Sequence, residues 1–590
     1  MLFFTAYFIY WAVINRYLFA FQEQIQLFRF DRDYFSGFLT KPGGLTEYLG
    51  AFFTQFYVYP KTGALIVTTA GVTVYLLTRY ICRKYELTGV FWPYVPPLLL
   101  VILQNDYMFS VGYPLGLILS LTFAAIYVSL KTDHIRYGYG FVGFVLLYLA
   151  TGGLSLIVPL TGIVHELLFA KSRYRIAGIS GFILVSFLLP VLACRTIYHI
   201  PAGEAWLGPA IVHSGTRTKY ALLLFGAFFA FLIVVAKAMR TKFPEKNGRF
   251  VRKREALLEV SVIVLIFGWG VTEYAKDSKV RLFFEMDHHV QSGHWDKVVE
   301  LSSKNPEANR IILYYTNLAL YQTGHLNDRL FCFSQIGTSG LWLDRDEDDF
   351  SLFLGGGFFY HLGYLNEAIR WAYDAMVSFG HAPRLLKQLV LTALVNGNQA
   401  VAEKYLGILD HTLFYRKWAG YYRNLSRDPD LLRKDPEIAE KRHFLIRNDF
   451  VTGTNEADRS LSQLLENHPD NRMAFEYDMS FLLLDKDLAP FAASIHRVKD
   501  FGYPALPVHF EEALLLYMGY VKKNLLPSGY GIRKSTVQRF KEYAKAYASR
   551  SGTPAGEAGS FRESFGNTYW FYFHFIDNRA STNETIHPFN

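Results

Sequence analysis

The sequence predicts an all-α protein in two parts. A polytopic transmembrane bundle of about nine spans occupies residues 1–275, and an α-helical repeat domain occupies residues 276–590. Three observations carry this. Long apolar runs with few charges recur through the first part, each of the length needed to cross ~30 Å of hydrocarbon. The charge is divided unevenly, because residues 1–275 hold 24 of the 60 Lys and Arg but only 13 of the 51 Asp and Glu. After Tyr274 the apolar residues become periodic at helical spacing, with short turns between them.

The apolar runs lie near 2–21, 62–79, 89–104, 110–130, 137–150, 153–170, 176–194, 220–236 and 257–274. YALLLFGAFFAFLIVVAKAM is the plainest of them. The first is interrupted by Asn15 and Arg16, and only Thr151, Gly152 and Gly153 separate the fifth from the sixth. The start carries neither the basic segment nor the small-residue cleavage site of a removed signal peptide. Lys and Arg of short loops collect on the cytoplasmic side of a membrane. With the N-terminus inside, the inner loops hold sixteen of them and the outer loops seven. The expectation is a multi-pass protein of the bacterial cytoplasmic (inner) membrane, with residues 276–590 outside the cytoplasm. The formal charge of +9 therefore sits in loops between spans and describes no nucleic-acid face. Cys82, Cys194 and Cys332 are too scattered for a disulfide framework or a thiolate metal site.

The second part repeats a phrase: VQSGHWDKVVEL, YQTGHLNDRLF, YHLGYLNEAIRWA and LVNGNQAVAEKYL. Each reads as a helix end, a glycine and a new helix, with Gly293, Gly324, Gly363 and Gly397 spaced 31, 39 and 34 residues apart. This resembles the tetratricopeptide repeat (TPR), whose helix pairs stack into a solenoid. Ala368 and Ala372, then Ala400 and Ala402, supply the small residues for close helix packing, while the first two units lack them. The resemblance implies a concave surface for a peptide or protein partner. Helix pairs continue over 450–525, and 527–560, rich in Gly, Ser and Arg, reads as a mobile stretch before the aromatic NTYWFYFHFI.

Residues 22–61 form the first and longest outer loop. Two helix-compatible pieces, QEQIQLFRF and LTEYLGAFFTQF, flank LTKPGG and suggest short helices at the membrane surface. Glu23, Asp31, Asp33 and Glu47 then lie at the outer interface. The long first loop with acids, an odd span count and an outer C-terminal domain resemble the GT-C superfamily of membrane glycosyltransferases, which use polyprenyl-phosphate sugar donors. That resemblance implies Asp31 or Asp33 as the base for the acceptor hydroxyl and Asp106, in LQNDYMF, as a second acid. Arg195, His199, His213, Arg217 and Lys219 are its candidates for contacting the phosphate. The run PGGLTEYLGAFFTQF also resembles one in an uncharacterised bacterial family of multi-pass proteins with TPR-like tails.

Plainer readings stand beside these. Asp31 and Asp33 alternate with Arg29 and Arg32, as interface ion pairs contributing ~0 to 1 kcal/mol do. Asp106 has the side chain of a helix cap. His165 and Glu166 read as an interface or an internal polar contact. The DHH at 287–289 with His294 reads as a solvated face rather than a metal site, and DRDEDDF at 344–350 as an exposed connection. No phosphate-binding glycine loop, nucleophile elbow or HExxH is present. The sequence implies no organic cofactor, and a divalent metal ion stays open. The partners expected are membrane lipids, a polyprenyl-phosphate sugar donor and a peptide or protein at the repeat domain. The competing reading is a non-catalytic membrane-anchored scaffold that organises envelope proteins.

Overall fold

A computed structural model describes residues 2–87, 89, 91–208, 216–242, 261, 268, 278–305, 309–343, 349–446, 456–549 and 554–577. Among these residues every regular element is helical, and strand-type pairing is confined to an isolated bridge between Ile336 and Thr338. The chain divides into two compact units. Unit 1 comprises Met1–Ser278 with Ile408–Arg416, and unit 2 comprises Lys279–Gly407 with Lys417–Asn590.

Three stretches of unit 1 are long and apolar enough to cross a membrane: Pro60–Lys84, Asp133–Leu168 and Arg175–Thr196. A fourth is gained if Leu2–Ile14 and Arg16–Ile25, bent by 66°, count as one. The nine expected spans are not reached among the described residues, and the reasons are local. The first run breaks at Asn15, whose side-chain amide donates to the Tyr10 hydroxyl (3.2 Å) and to Asn105 Oδ1 (2.7 Å) instead of facing lipid. The runs at 89–104 and 110–130 give the shorter apolar helices Trp92–Gln104 and Gly112–Tyr127, whereas the run at 220–236 lies within the 27-residue helix Thr216–Lys242. Sixteen residues at ~1.5 Å each fall short of ~30 Å of hydrocarbon. The run at 257–274 lies almost wholly outside the described residues.

The 36-residue stretch Asp133–Leu168 is not straight. It consists of the helix Asp133–Thr151, a tight turn at Gly152–Leu156 and the helix Ile157–Leu168. Arg136 Nε lies 2.8 Å from Glu166 Oε1, so the two ends meet and the chain has reversed. The fifth and sixth apolar runs are thus the two legs of one hairpin, 19 and 12 residues long. Val74, Leu117, Leu121, Tyr127, Phe182 and Phe229 form the buried core around it. On Arg175–Thr196, by contrast, Ile183, Leu184 and Phe187 are exposed. Such a face is costly in water and suits hydrocarbon.

Unit 2 contains helical hairpins. Gly293, Gly324, Gly363 and Gly397 all have positive φ, between 69° and 82°. At each, the next residue's N–H reaches the carbonyl five residues back: His294 to His289, His325 to Leu320, Tyr364 to Phe359 and Asn398 to Ala393, at 2.7–2.9 Å. This is the glycine-terminated helix end that left-handed backbone permits. The units are unequal, since the second hairpin returns only through Leu326–Arg329 and a short turn of 3-10 helix. Ala368, Ala372 and Ala402 are buried between helices, whereas Ala400 is exposed. Asp287, expected on a solvated face, is buried and receives Arg384 Nη2 at 2.6 Å and the Tyr315 hydroxyl at 2.5 Å. The stretch 527–560 is also more ordered than its composition suggested. It contains the helix Lys534–Ala548, because Val537, Phe540, Tyr543 and Tyr547 recur at helical spacing and Tyr543 is buried. Most of DRDEDDF lies outside the described residues.

Candidate functional site

The first loop folds into the helices Arg32–Phe38 and Gly44–Thr54, joined through Lys41-Pro42-Gly43. This turn packs against the reversal of the apolar hairpin Asp133–Leu168, backbone to backbone. The amide of Gly43 donates to Leu149 O at 3.1 Å, and the Thr46 hydroxyl, 2.9 Å from Gly43 O, also reaches Ala150 O at 3.2 Å. Gly112 meets the same loop, since a Cβ there would sit 2.9 Å from Thr46 O. Small residues are required at this junction because three stretches of main chain converge on it.

Their convergence leaves a cavity of about 300 Å³. Its polar lining includes Lys41, Glu47, Ser110 and Tyr113 beside Gln26, Thr46 and Thr151, and Gly152, Gly153 and Gly208 also line it. Lys41 and Glu47 form an ion pair across the first turn of Gly44–Thr54, and both are partly exposed. Ser110 Oγ accepts from the Gly112 amide at 3.0 Å. The Tyr113 hydroxyl is buried and has no hydrogen-bond partner among the described residues. An acid, a cation and an unsatisfied hydroxyl therefore share one small cavity.

The residues singled out in the sequence do not converge on it. Asp31 caps the helix Arg32–Phe38, accepting from Tyr34 N at 2.7 Å, and pairs with Arg29 at 3.1 Å. Asp33 is exposed in the first turn of that helix. Asp106 turns back on its own chain, with Oδ1 accepting from Met108 N at 3.0 Å. Arg195, in the last turn of Arg175–Thr196, and His199, just beyond it, are exposed, and neither lines the cavity. His213 and the side chains of Arg217 and Lys219 lie outside the described residues. Of the loop acids, Glu47 lines the cavity, whereas Glu23 is buried, with its carboxylate accepting from the Tyr415 hydroxyl at 2.6 and 2.7 Å. Tyr415 belongs to unit 1.

Sequence reasoning missed Ser110 and Tyr113 as site residues. The available signal was the pairing of two glycine doublets, Gly43-Gly44 and Gly152-Gly153, each at a break between apolar segments. Of the two readings of His165 and Glu166, an interface or an internal polar contact, the structure shows the internal contact. Glu166 is fully buried and accepts from Tyr127, Arg136 and Tyr137 at 2.8–3.0 Å, while His165 Nδ1 is 2.7 Å from the Tyr85 hydroxyl. Among the described residues no three His, Cys, Asp or Glu side chains come together to hold a metal ion. The cavity offers a single carboxylate, so no chemistry is assigned to a metal there.

A family of unknown function, DUF6057, matches residues 1–576. The chain belongs to the DUF6057 family. The expectation of an uncharacterised family, drawn from PGGLTEYLGAFFTQF, is met across both units. No curated protein and no solved structure matches the chain. The cavity and all four glycine-capped hairpins lie inside the DUF6057 match.

Proposed function

We propose that the protein is embedded in the bacterial cytoplasmic membrane with its N-terminus inside, and that it is a glycosyltransferase of the GT-C type working at the outer face. The observation that supports this is the pairing of Glu47 with Lys41 in a cavity built from the first loop. In this reading Lys41 turns to the phosphate of a polyprenyl-phosphate sugar, which frees the Glu47 carboxylate. Glu47 takes the proton of the acceptor hydroxyl, and the acceptor oxygen bonds to the anomeric carbon. The bond from that carbon to the phosphate oxygen breaks, and polyprenyl phosphate leaves with its charge met by Lys41. The Tyr113 hydroxyl and the glycine backbone hold the sugar. Asp31, Asp33 and Asp106 have no part in the reaction.

The test is binding and turnover of a panel of polyprenyl-phosphate sugars by the protein in lipid nanodiscs. Glu47→Gln should lower sugar transfer by ~100-fold or more, and Lys41→Met should weaken donor binding. If wild type binds no donor, the reading fails.

A second reading is favoured by the local engagement of Asp31 and Asp106 in capping and ion pairing. Here the membrane unit is an anchor, and the hairpins of unit 2 stack as a TPR-like solenoid that holds a protein of the envelope. Crosslinking of a partner to unit 2, with no donor binding by unit 1, is its expected signature.

A further inference from the structure

Unit 2 contains a cavity of about 390 Å³, within the ~300–1,000 Å³ of small-ligand sites. One wall is aromatic. Trp418 and Tyr422 are half-buried side chains one helical turn apart, with ring centroids separated by 4.4 Å. Trp295 stands edge-on to His361 at 5.7 Å and also lines the space. Polar groups complete the lining. Tyr314 is 1% exposed, and its hydroxyl has no hydrogen-bond partner among the described residues. Glu437 accepts from the Tyr360 hydroxyl at 2.9 Å, and Lys387 lies in the same lining.

Charge decides the class of ligand. Arg384 reaches the cavity, but its guanidinium is paired with buried Asp287 at 2.6 Å, and Asp287 also accepts from Tyr315. Lys387 and Glu437 contribute one charge of each sign. The cavity thus combines flat aromatic faces and hydrogen-bonding groups without net charge. An anionic ligand would gain no net attraction from a lining whose charges balance, and a purely apolar one would leave the Tyr314 hydroxyl buried and unpaired. A pyranose meets both demands, with C–H faces for the rings and hydroxyls for the polar groups.

We propose that this cavity binds a neutral saccharide, stacked on Trp418 and Tyr422, with hydroxyls on Tyr314, Lys387 and Glu437. The proposal does not depend on sugar transfer in unit 1.

The test is calorimetric titration of the full chain in lipid nanodiscs with maltotriose, cellotriose, mannotriose and triacetylchitotriose. Trialanine and inorganic phosphate serve as charged probes. At least one saccharide should saturate, with equal affinity for wild type and Glu47→Gln. Trp418→Ala and Tyr422→Ala should weaken it by roughly tenfold or more. Tyr314→Phe, which keeps the shape and removes only the hydroxyl, should weaken it several-fold and secures the test if a truncation fails to fold. Saturation by none of the four saccharides overturns the proposal. So does binding of trialanine or phosphate alone, or saccharide binding that is unchanged in Trp418→Ala, Tyr422→Ala and Tyr314→Phe. Loss of donor turnover in unit 1 with intact saccharide binding here would overturn only the transferase reading.

Discussion

The backbone of Gly43 rests on the backbone of Gly152: a Cβ on Gly43 would sit 3.1 Å from Gly152 N, and one on Gly152 would sit 3.0 Å from Pro42 O. Both glycines also have positive φ, +84° and +60°. Any side chain there meets two obstacles, main chain at close range and a left-handed conformation costing ~1–2 kcal/mol. Gly43→Ala and Gly152→Ala should each lower stability by about 1–3 kcal/mol, and the double substitution should cost less than the two together because they relieve one contact. Gly37→Ala, with nothing within 4 Å, is the control and should leave the melting temperature in detergent at or above that of wild type.

The roles of the loop acids separate by substitution. Asp31→Ala removes a helix cap and should cost ~0.5–2 kcal/mol of stability. Asp33→Asn, at an exposed position, should stay within ~0.5 kcal/mol. If Glu47 is the reacting acid, Asp31→Asn and Asp33→Asn both retain wild-type turnover of a lipid-linked sugar. Loss of turnover in either, with Glu47→Gln active, would return the site to the acid cluster.

Helix content was legible because it rests on apolar spacing, which acts within a few residues. The four hairpin glycines were legible for the same reason, since a helix end that needs positive φ selects glycine locally. The span count was not. A run such as 110–130 is apolar enough to be a span, yet its helix ends where Val128, Ser129 and Leu130 form a turn. Whether 137–150 and 153–170 lie in line or side by side depends on Arg136 meeting Glu166, a contact between residues thirty apart. The candidate site was half legible. Its acid and cation lie in the first loop, but nothing local sets Glu47 apart from that loop's other acids. Tyr113 comes from a distant segment and carries no local mark, and the burial of Asp287 depends on Arg384, 97 residues on.

Glu166 and Arg136 make a second test, of unit 1 itself. The pair is 0% and 6% exposed, and both tyrosines, Tyr127 and Tyr137, donate to the carboxylate. Desolvating two charges costs several kcal/mol each, which the pair and its hydrogen bonds must offset. Removing Arg136 leaves the buried Glu166 charge without its cation, and removing Glu166 leaves Arg136 only the partly exposed Asp133. Glu166→Gln and Arg136→Met should each destabilise by about 3–5 kcal/mol, with the double substitution much less than additive. Asp133, whose side chain is one-third exposed where it meets Arg136, should matter by only ~0.2–1 kcal/mol when changed to Asn. Thermal unfolding in detergent, followed by tryptophan fluorescence, distinguishes these outcomes. Equal effects for Glu166→Gln and Asp133→Asn would mean that the inner pair does not hold the hairpin.

In unit 2, Asp478 on the helix Arg472–Asp485 gives the protein a pH dependence of predictable sign. Burial pushes its carboxyl from 3.8 up to about 6, with Arg497 lowering it and Asp458 raising it further. The unfolded chain therefore loses this proton more readily than the folded one. Stability from this group is complete below about pH 3.8 and falls as pH rises to about 6, above which the folded state carries the whole cost of the buried charge. A rise from 3.8 to about 6 corresponds to at most ~3 kcal/mol, and partial solvation brings the expectation to about 1–3 kcal/mol. Asp478→Asn should consequently melt above wild type at pH 8. The gap should shrink as pH is lowered through 6 and close near pH 4. A gap that widens on acidification would mean that the ionised carboxylate is stabilised in the fold, with Arg497 outweighing burial.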